Sequence, residues 1–169
     1  MTTCKIRPGT LDDAAAILAV YRAAARQGNG ILRREHEVTD AYVHHNLTNS
    51  LATGLSLVAE RDGVVIGELH GWARPLRQLA HVLSDISIAI DPMAQGGGLG
   101  RGLFDAFIVM VRRDMTHIRV LELLCREDNT RAVALYEAMG FVLEGRLVNR
   151  VALDDGGYKD DLIMGLQLV

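Results

Sequence analysis

Ile88-Ala-Ile-Asp-Pro-Met-Ala-Gln-Gly-Gly-Gly-Leu-Gly-Arg-Gly-Leu103 is the stretch whose reading decides the fold. Its first part closes an apolar, β-branched run from Val82 to Asp91 that reads as a strand, and Pro92 ends it. Gln95 to Gly100 is a glycine-rich turn. A helix of about 15 residues follows, with Leu103, Phe107, Met110 and Val111 marking its buried face. A strand, a glycine turn and a helix start together make an anion site. The first backbone N–H groups of a helix have no partner within it, and the helix dipole adds partial positive charge. Five glycines lie within Gly96 to Gly102, and they let phosphate oxygens come close to the backbone. The competing reading is a plain tight turn between strand and helix.

The pattern also narrows the phosphate ligand. A P-loop needs Lys and then Ser or Thr after its last glycine, but Gly102 is followed by Leu103 and Phe104. The dinucleotide pattern fails as well, because the third glycine position counted from Gly98 and Gly100 falls on Leu103. What fits is Gln-x-x-Gly-x-Gly at Gln95, Gly98 and Gly100.

Working outward, Lys5-Ile-Arg7 reads as a short strand ended by Pro8-Gly9. Thr10 caps a helix with Asp12 and Asp13 in its first turn, where the dipole favours negative charge. Leu11, Ala15, Leu18 and Ala25 recur along it at helical spacing, and Gln27-Gly-Asn-Gly30 stops it. Thr39-Asp40 starts a second helix reaching about Leu51. Leu55–Arg61 and Val64–Trp72 are strands joined at Asp62-Gly63, a strong two-residue hairpin signal. A loop around Pro75 leads to the strand already described. Ile118–Cys125 is a further strand, Asn129 opens a helix ending at Gly140, and Phe141–Leu153 and Tyr158–Leu168 are strands joined by Asp155-Gly156-Gly157.

The 169 residues suffice for one domain with a real core, and residues 1–169 show no linker, repeat or low-complexity segment. A net charge of −3 lacks the strongly basic face a nucleic-acid partner needs, yet suits a small basic acceptor. No long uncharged apolar stretch predicts a membrane span, so no membrane partner is expected. Met1-Thr-Thr-Cys-Lys-Ile has no basic run followed by an apolar stretch, so a cytoplasmic protein is expected and the Asn46-Leu-Thr48 sequon is set aside. Cys4 and Cys125 fit no metal-ligand spacing; free thiols and no metal are expected.

Two segments resemble the GNAT superfamily of acetyl-CoA-dependent N-acetyltransferases: the opening stretch, and Asn129-Thr-Arg-Ala-Val-Ala-Leu-Tyr136-Glu-Ala-Met-Gly-Phe141. With the order of elements, the resemblance spans essentially the whole chain. It implies an α/β (α+β) fold with a mixed, mostly antiparallel sheet of roughly six to seven strands and about four helices. Glu144-Gly-Arg146 and Asp155–Met164 are similar to the branch that includes small-amine, amino-acid and ribosomal-protein acetyltransferases.

The resemblance implies direct attack of a primary amine on acetyl-CoA, the co-substrate, with no covalent enzyme intermediate. The acceptor is a small amine, an amino acid or a protein N-terminus. The backbone of Gly96, Gly97, Gly98, Leu99, Gly100 and Arg101 holds the pyrophosphate, together with Gln95 at the head of the motif. The family commonly has a basic residue where Gly97 stands, so binding leans on the helix start and on Arg101, which is otherwise a solvated helix charge. The backbone of Ile88, Ala89 and Ile90 pairs with the pantetheine arm like an added strand and polarises the thioester. Asn129 bonds the cofactor arm or caps its helix. Tyr136 is the general acid or a packed core tyrosine; a phenol of pKa about 10 can protonate a thiolate whose acid lies near 8.5 if burial and geometry help.

The base is harder to place. An alkyl amine is neutral about once in 10³ molecules at pH 7, a cost of roughly 4–5 kcal/mol. In the ribosomal-protein branch a Glu five residues before the Asn takes the proton; here that position is Leu124. Asp85, where other members carry an acidic residue, is the expected base, the alternative being a paired or solvated carboxylate. Glu68, His70 and His81 stand behind it, and Glu122 lies in a strand with apolar neighbours. The segment from Arg26 to Asn49, with His36, His44 and His45, shapes the acceptor site. A homodimer is also implied. The opposing reading is a non-catalytic module that binds acetyl-CoA and reports its level.

Overall fold

The computed structural model describes residues 4–28 and 30–168. Met1–Thr3, part of the leader reading, and Asn29, inside the expected helix stop, lie outside them. Seven strands form one sheet: β1 (Cys4–Pro8), β2 (Gly54–Arg61), β3 (Val64–Ala73), β4 (Val82–Ile90), β5 (Val120–Arg126), β6 (Val142–Ala152) and β7 (Tyr158–Gln167). Their order is β1-β2-β3-β4-β5-β7-β6. Every neighbouring pair is antiparallel except β4 and β5. Four α-helices accompany it: α1 (Ala14–Arg26), α2 (Asp40–Thr53), α3 (Leu99–Asp114) and α4 (Thr130–Ala138). The mixed, mostly antiparallel architecture matches the expectation.

Local chemistry explains the joints. Asp62 and Gly63 both take positive φ (53° and 79°), the two-residue turn whose twist suits a hairpin. Thr39 caps α2 by accepting from the Tyr42 N–H. Thr10 and Asp13 form a capping box at a short 3-10 turn that feeds α1, and Arg7 clamps Asp13 at 2.8 Å.

The two faces of the sheet bury different helices. α3 lays Leu103, Phe104, Phe107, Ile108 and Val111 onto one face, against Leu57, Leu69, Leu83 and Leu121. On the other, α1 and α2 pack Ile17, Val20, Tyr21 and Leu47 over Val58 and Ala89. The stripe expected on α1 is corrected here. Ala25 is buried as expected, but Leu11 and Ala15 are exposed and Leu18 only half-buried; Ala14, Ile17, Val20, Tyr21 and Ala24 share the buried side with Ala25. An alanine-rich helix offers several apolar stripes, and packing of the larger Ile17, Val20 and Tyr21 selects among them.

The opening between β4 and β5 positions the site. Only Val82↔Val120 and Leu83↔Leu121 pair. Beyond them, the β3–β4 register shifts, with His70 opposite Ser87 and Trp72 opposite Ser84. Gly71 therefore faces two residues, Asp85 and Ile86, and Asp85 sits at φ 50°. A bulge bends the strand that carries it. Gly71 has no room for a side chain there, since a Cβ would lie 2.5 Å from Leu83 Cδ2 and 2.8 Å from Ile86 Cγ1. β4 departs from β5, and its edge from Ser84 to Ile90 faces a cleft instead of a strand.

Candidate active site

The glycine turn closes one end of the cleft. Gly96 and Gly98 take positive φ, 87° and 78°, and Gly98 is the N-cap of α3. The first helical bond runs from the Gly102 N–H to the Gly98 carbonyl at 3.0 Å. The N–H groups of Leu99, Gly100 and Arg101 therefore have no partner in the helix and point out of its positive end. A Cβ on Gly100 would meet Ile90 Cδ1 at 3.3 Å and Leu135 Cδ2 at 3.5 Å, so glycine lets the helix start this close to β4.

Of the residues expected at the cofactor, all but Gly97 line one cavity of about 230 Å³. Gln95 ties its rim together: its amide donates to Ile90 O at 3.2 Å and to Gln27 Oε1 at 3.1 Å, and its oxygen accepts from Arg131 at 3.4 Å. Arg101 is exposed, 3.6 Å from Asp105. Arg131 was not singled out in the sequence. From the first turn of α4 it supplies a cation beside the glycine turn, where Gly97 has none. Its signal was its place two residues after Asn129.

Asn129 caps α4, its Oδ1 accepting from the Ala132 N–H at 3.3 Å, and also lines the cavity. At the other end, the Phe141 N–H reaches the Tyr136 carbonyl and the Gly140 N–H that of Glu137, both at 3.0 Å, with Gly140 at φ 92°. This paired C-terminal closure fixes the turn that carries Tyr136. Its ring meets Phe104 edge-on at 5.4 Å and Phe141 at 5.8 Å. The side chain is 7% exposed and lines the cleft, and its hydroxyl has no hydrogen-bond partner among the described residues. Burial pushes the phenol well above its ordinary value, so it is protonated across the neutral range. Cys125 lies nearby, its thiol pushed up to about 11 by burial. It is a neutral wall of the cleft and not a nucleophile at pH 7.

Past Tyr136 the cleft opens on the α1–α2 face into a second cavity of about 360 Å³. Asp85 lies there, its side chain 38% exposed and 3.5 Å from Arg74. Arg33 stacks over the Tyr42 ring at 4.1 Å. Tyr42, His45 and Asn46 of α2 form one wall, and Glu122 and Leu124 of β5 another. Of the 26–49 segment, Arg33, Tyr42, His45 and Asn46 line this cavity. His36 and His44 are exposed and do not line it, and neither does His81. Glu68 and His70 of β3 form a buried, hydrogen-bonded pair, and His70 lines the same cavity. Among the described residues no group of His, Cys, Asp and Glu could hold a metal ion, and no helix is long and apolar enough to cross a membrane.

Comparison with known proteins agrees with this geometry. The sequence model of the acetyltransferase (GNAT) family matches residues 19–141. Phosphinothricin N-acetyltransferase of Alcaligenes faecalis is 30% identical over 95% of this chain and 81% of its own length. Mycothiol acetyltransferase of Geodermatophilus obscurus is 50% identical over 54 residues, but the match spans 32% of this chain and only 17% of that protein. The yncA protein of Salmonella typhimurium, solved with its cofactor acetyl-CoA, superposes with a TM-score of 0.86 at 25% identity, covering 99% of this chain and 95% of that one. A family match over most of the chain, a relative aligned nearly end to end and a cleft of the right build lead to one statement: this chain belongs to the acetyltransferase (GNAT) family and is an acetyl-CoA-dependent N-acetyltransferase.

Proposed function

We propose that the chain acetylates the primary amine of a small amino-acid-type acceptor, which enters the cavity beside Asp85 and meets acetyl-CoA laid along β4. The observation that carries this reading is the pairing of opposite charges in that cavity. Asp85 can meet an ammonium group, and Arg33 and Arg74 can meet a carboxylate. Arg33 makes no ion pair among the described residues. Phosphinothricin, which names one relative, is an amino acid and carries both charges, which supports the reading.

In this proposal the N–H groups of Leu99, Gly100 and Arg101 hold the pyrophosphate, helped by Arg131, and the free edge of Ile88 to Ile90 holds the pantetheine arm. The amine attacks the thioester carbon, the C–S bond breaks, and Tyr136 protonates the departing sulfur. The thiolate leaves into the same buried pocket that raises the phenol, so desolvation acts on donor and acceptor alike and does not oppose the transfer. Asp85, the expected base, contacts the acceptor nitrogen and recruits its ammonium form.

Residues 1–169 are read as one catalytic domain in the cytoplasm. A homodimer draws support from β6, an edge strand with Val142, Leu143 and Val148 exposed, and sedimentation velocity tests it.

Thiol release from acetyl-CoA with phosphinothricin, L-methionine, 3-methylthiopropylamine and an alanyl peptide tests the acceptor. Turnover with the amino acids, and at least tenfold lower kcat/KM with the amine that lacks a carboxylate, is the expected result. Equal use of the simple amine, or exclusive use of the peptide, overturns it.

A further inference from the structure

Glu68 and His70 alternate on the face of β3 that α1 covers, and their surroundings are those of a proton carrier. Glu68 is 1% exposed and His70 3%. The Glu68 carboxylate accepts from the Tyr21 hydroxyl at 2.9 Å, from Ser56 Oγ at 2.7 Å and from His70 Nδ1 at 2.9 Å. A carboxylate only accepts, so Nδ1 carries the hydrogen and a neutral ring keeps its lone pair on Nε2. The ring is near-parallel to those of Tyr21, at 6.1 Å and 26°, and Trp72, at 5.5 Å and 17°. His70 lines the acceptor cavity, and with Nδ1 engaged by Glu68 the nitrogen left over is Nε2, which has no protein partner among the described residues. His70 stands opposite Ser87, whose Oγ is 3.4 Å from the Tyr21 hydroxyl, and Ser87 immediately precedes Ile88 on β4. The imidazole is thus one strand away from where the proposal above lays the thioester. The other titratable or charged groups around the cavity are Tyr42 and His45 of α2, Asp85 of β4, Glu122 of β5, and the loop residues Arg33 and Arg74.

We propose that His70, oriented by Glu68, removes the proton that keeps the acceptor amine from attacking, while Asp85 only docks the ammonium group. This rests on the acceptor entering that cavity. One N–H bond of the ammonium breaks and its proton goes to Nε2, which leaves an imidazolium beside the Glu68 carboxylate. The freed electron pair forms the C–N bond. The C–S pair leaves with sulfur, which takes the Tyr136 proton. The second proton shed by nitrogen restores Tyr136 through solvent, and His70 releases its own to water. In this scheme His70 is a catalytic residue and Glu68 a positioning residue.

His70→Asn keeps a donor toward Glu68 but has no basic nitrogen. With phosphinothricin as acceptor, kcat at pH 7 is expected to fall roughly 10²- to 10³-fold, with KM for acetyl-CoA within about twofold. The deficit should shrink about tenfold per pH unit toward pH 9, as the substrate's own amine deprotonates. Glu68→Gln places an amide donor against Nδ1, moves the ring hydrogen to Nε2, and should give the same pH-dependent loss. Asp85→Asn should mainly raise the acceptor KM. A kcat for His70→Asn within threefold of wild type, a loss equal at every pH that follows a fall in Tm, or the pH-dependent loss appearing in Asp85→Asn instead overturns the assignment. Long-range ¹H–¹⁵N spectra of the resting protein at pH 8 need no acceptor. They should show the Nδ1–H tautomer for His70, and the Nε2–H form contradicts the proposal even if phosphinothricin is not a substrate.

Discussion

Replacing Tyr136 with Phe removes one oxygen from a ring held between Phe104 and Phe141. Because that hydroxyl has no hydrogen-bond partner among the described residues, its loss breaks no protein contact. Unfolding free energy should change by less than about 1 kcal/mol, and the affinity for acetyl-CoA by no more than roughly threefold. What disappears is the proton for the departing sulfur. A positioned general acid contributes about 10²- to 10⁴-fold, so a 10²- to 10³-fold loss corresponds to about 3–4 kcal/mol of barrier. Burial holds the phenol above its ordinary value, so Tyr136 stays protonated from pH 6 to 10 and contributes no falling limb to the wild-type rate in that window. The assay is single-turnover thiol release from pre-bound acetyl-CoA, which isolates chemistry from product release, with calorimetry for affinity. A single-turnover rate within threefold of wild type refutes the acid role. So does a loss that merely parallels weakened cofactor binding or a lowered Tm.

Gly98→Ala forces a side chain into left-handed backbone at φ 78° with open space around it; urea unfolding should show about 1–2 kcal/mol lost, or the turn should relax and calorimetry show weaker acetyl-CoA binding. Arg131→Ala should raise KM for acetyl-CoA about fivefold at low salt, the value of one exposed phosphate contact, with the difference shrinking in 0.5 M NaCl; a salt-independent effect argues against a charge contact. The Arg7 guanidinium holds Asp13 at about 2, below its unfolded value near 4. The stabilisation from this pair is complete above pH 5 and is lost as pH falls toward 2. Asp13→Asn should therefore cost about 1–2 kcal/mol at pH 7, and the gap in Tm between variant and wild type should close at low pH.

The elements were legible where a local rule governs them. Pro92, Gly96, Gly98, Asp62-Gly63 and Gly140 each act through their own backbone limits, and the structure uses them at turns and caps. Asn129 and Tyr136 were legible as a spaced pair through the resemblance to the family, and about two turns of α4 carry both into the cleft. The stripe of α1 was not, because an alanine-rich helix commits to a face only when the sheet is there to receive Ile17 and Tyr21. The bulge at Asp85 was hidden for a similar reason. It lies in the pairing of Gly71 on β3 with two residues of β4, which no single strand reports. Glu68 and His70 read as separate reserve candidates for the base until Tyr21, 47 residues before Glu68, is folded onto them. Arg131 gains meaning only from the distance to Gln95.

The most direct measurement of the central claim is a crystal structure of the protein with acetyl-CoA, supported by a calorimetric titration. The pyrophosphate oxygens should lie within hydrogen-bond distance, about 2.7–3.2 Å, of the N–H groups of Leu99, Gly100 and Arg101. The pantetheine arm should run along Ile88 to Ile90, with the thioester sulfur facing the Tyr136 hydroxyl. No heat on titration, or a cofactor seated away from the start of α3, contradicts the account.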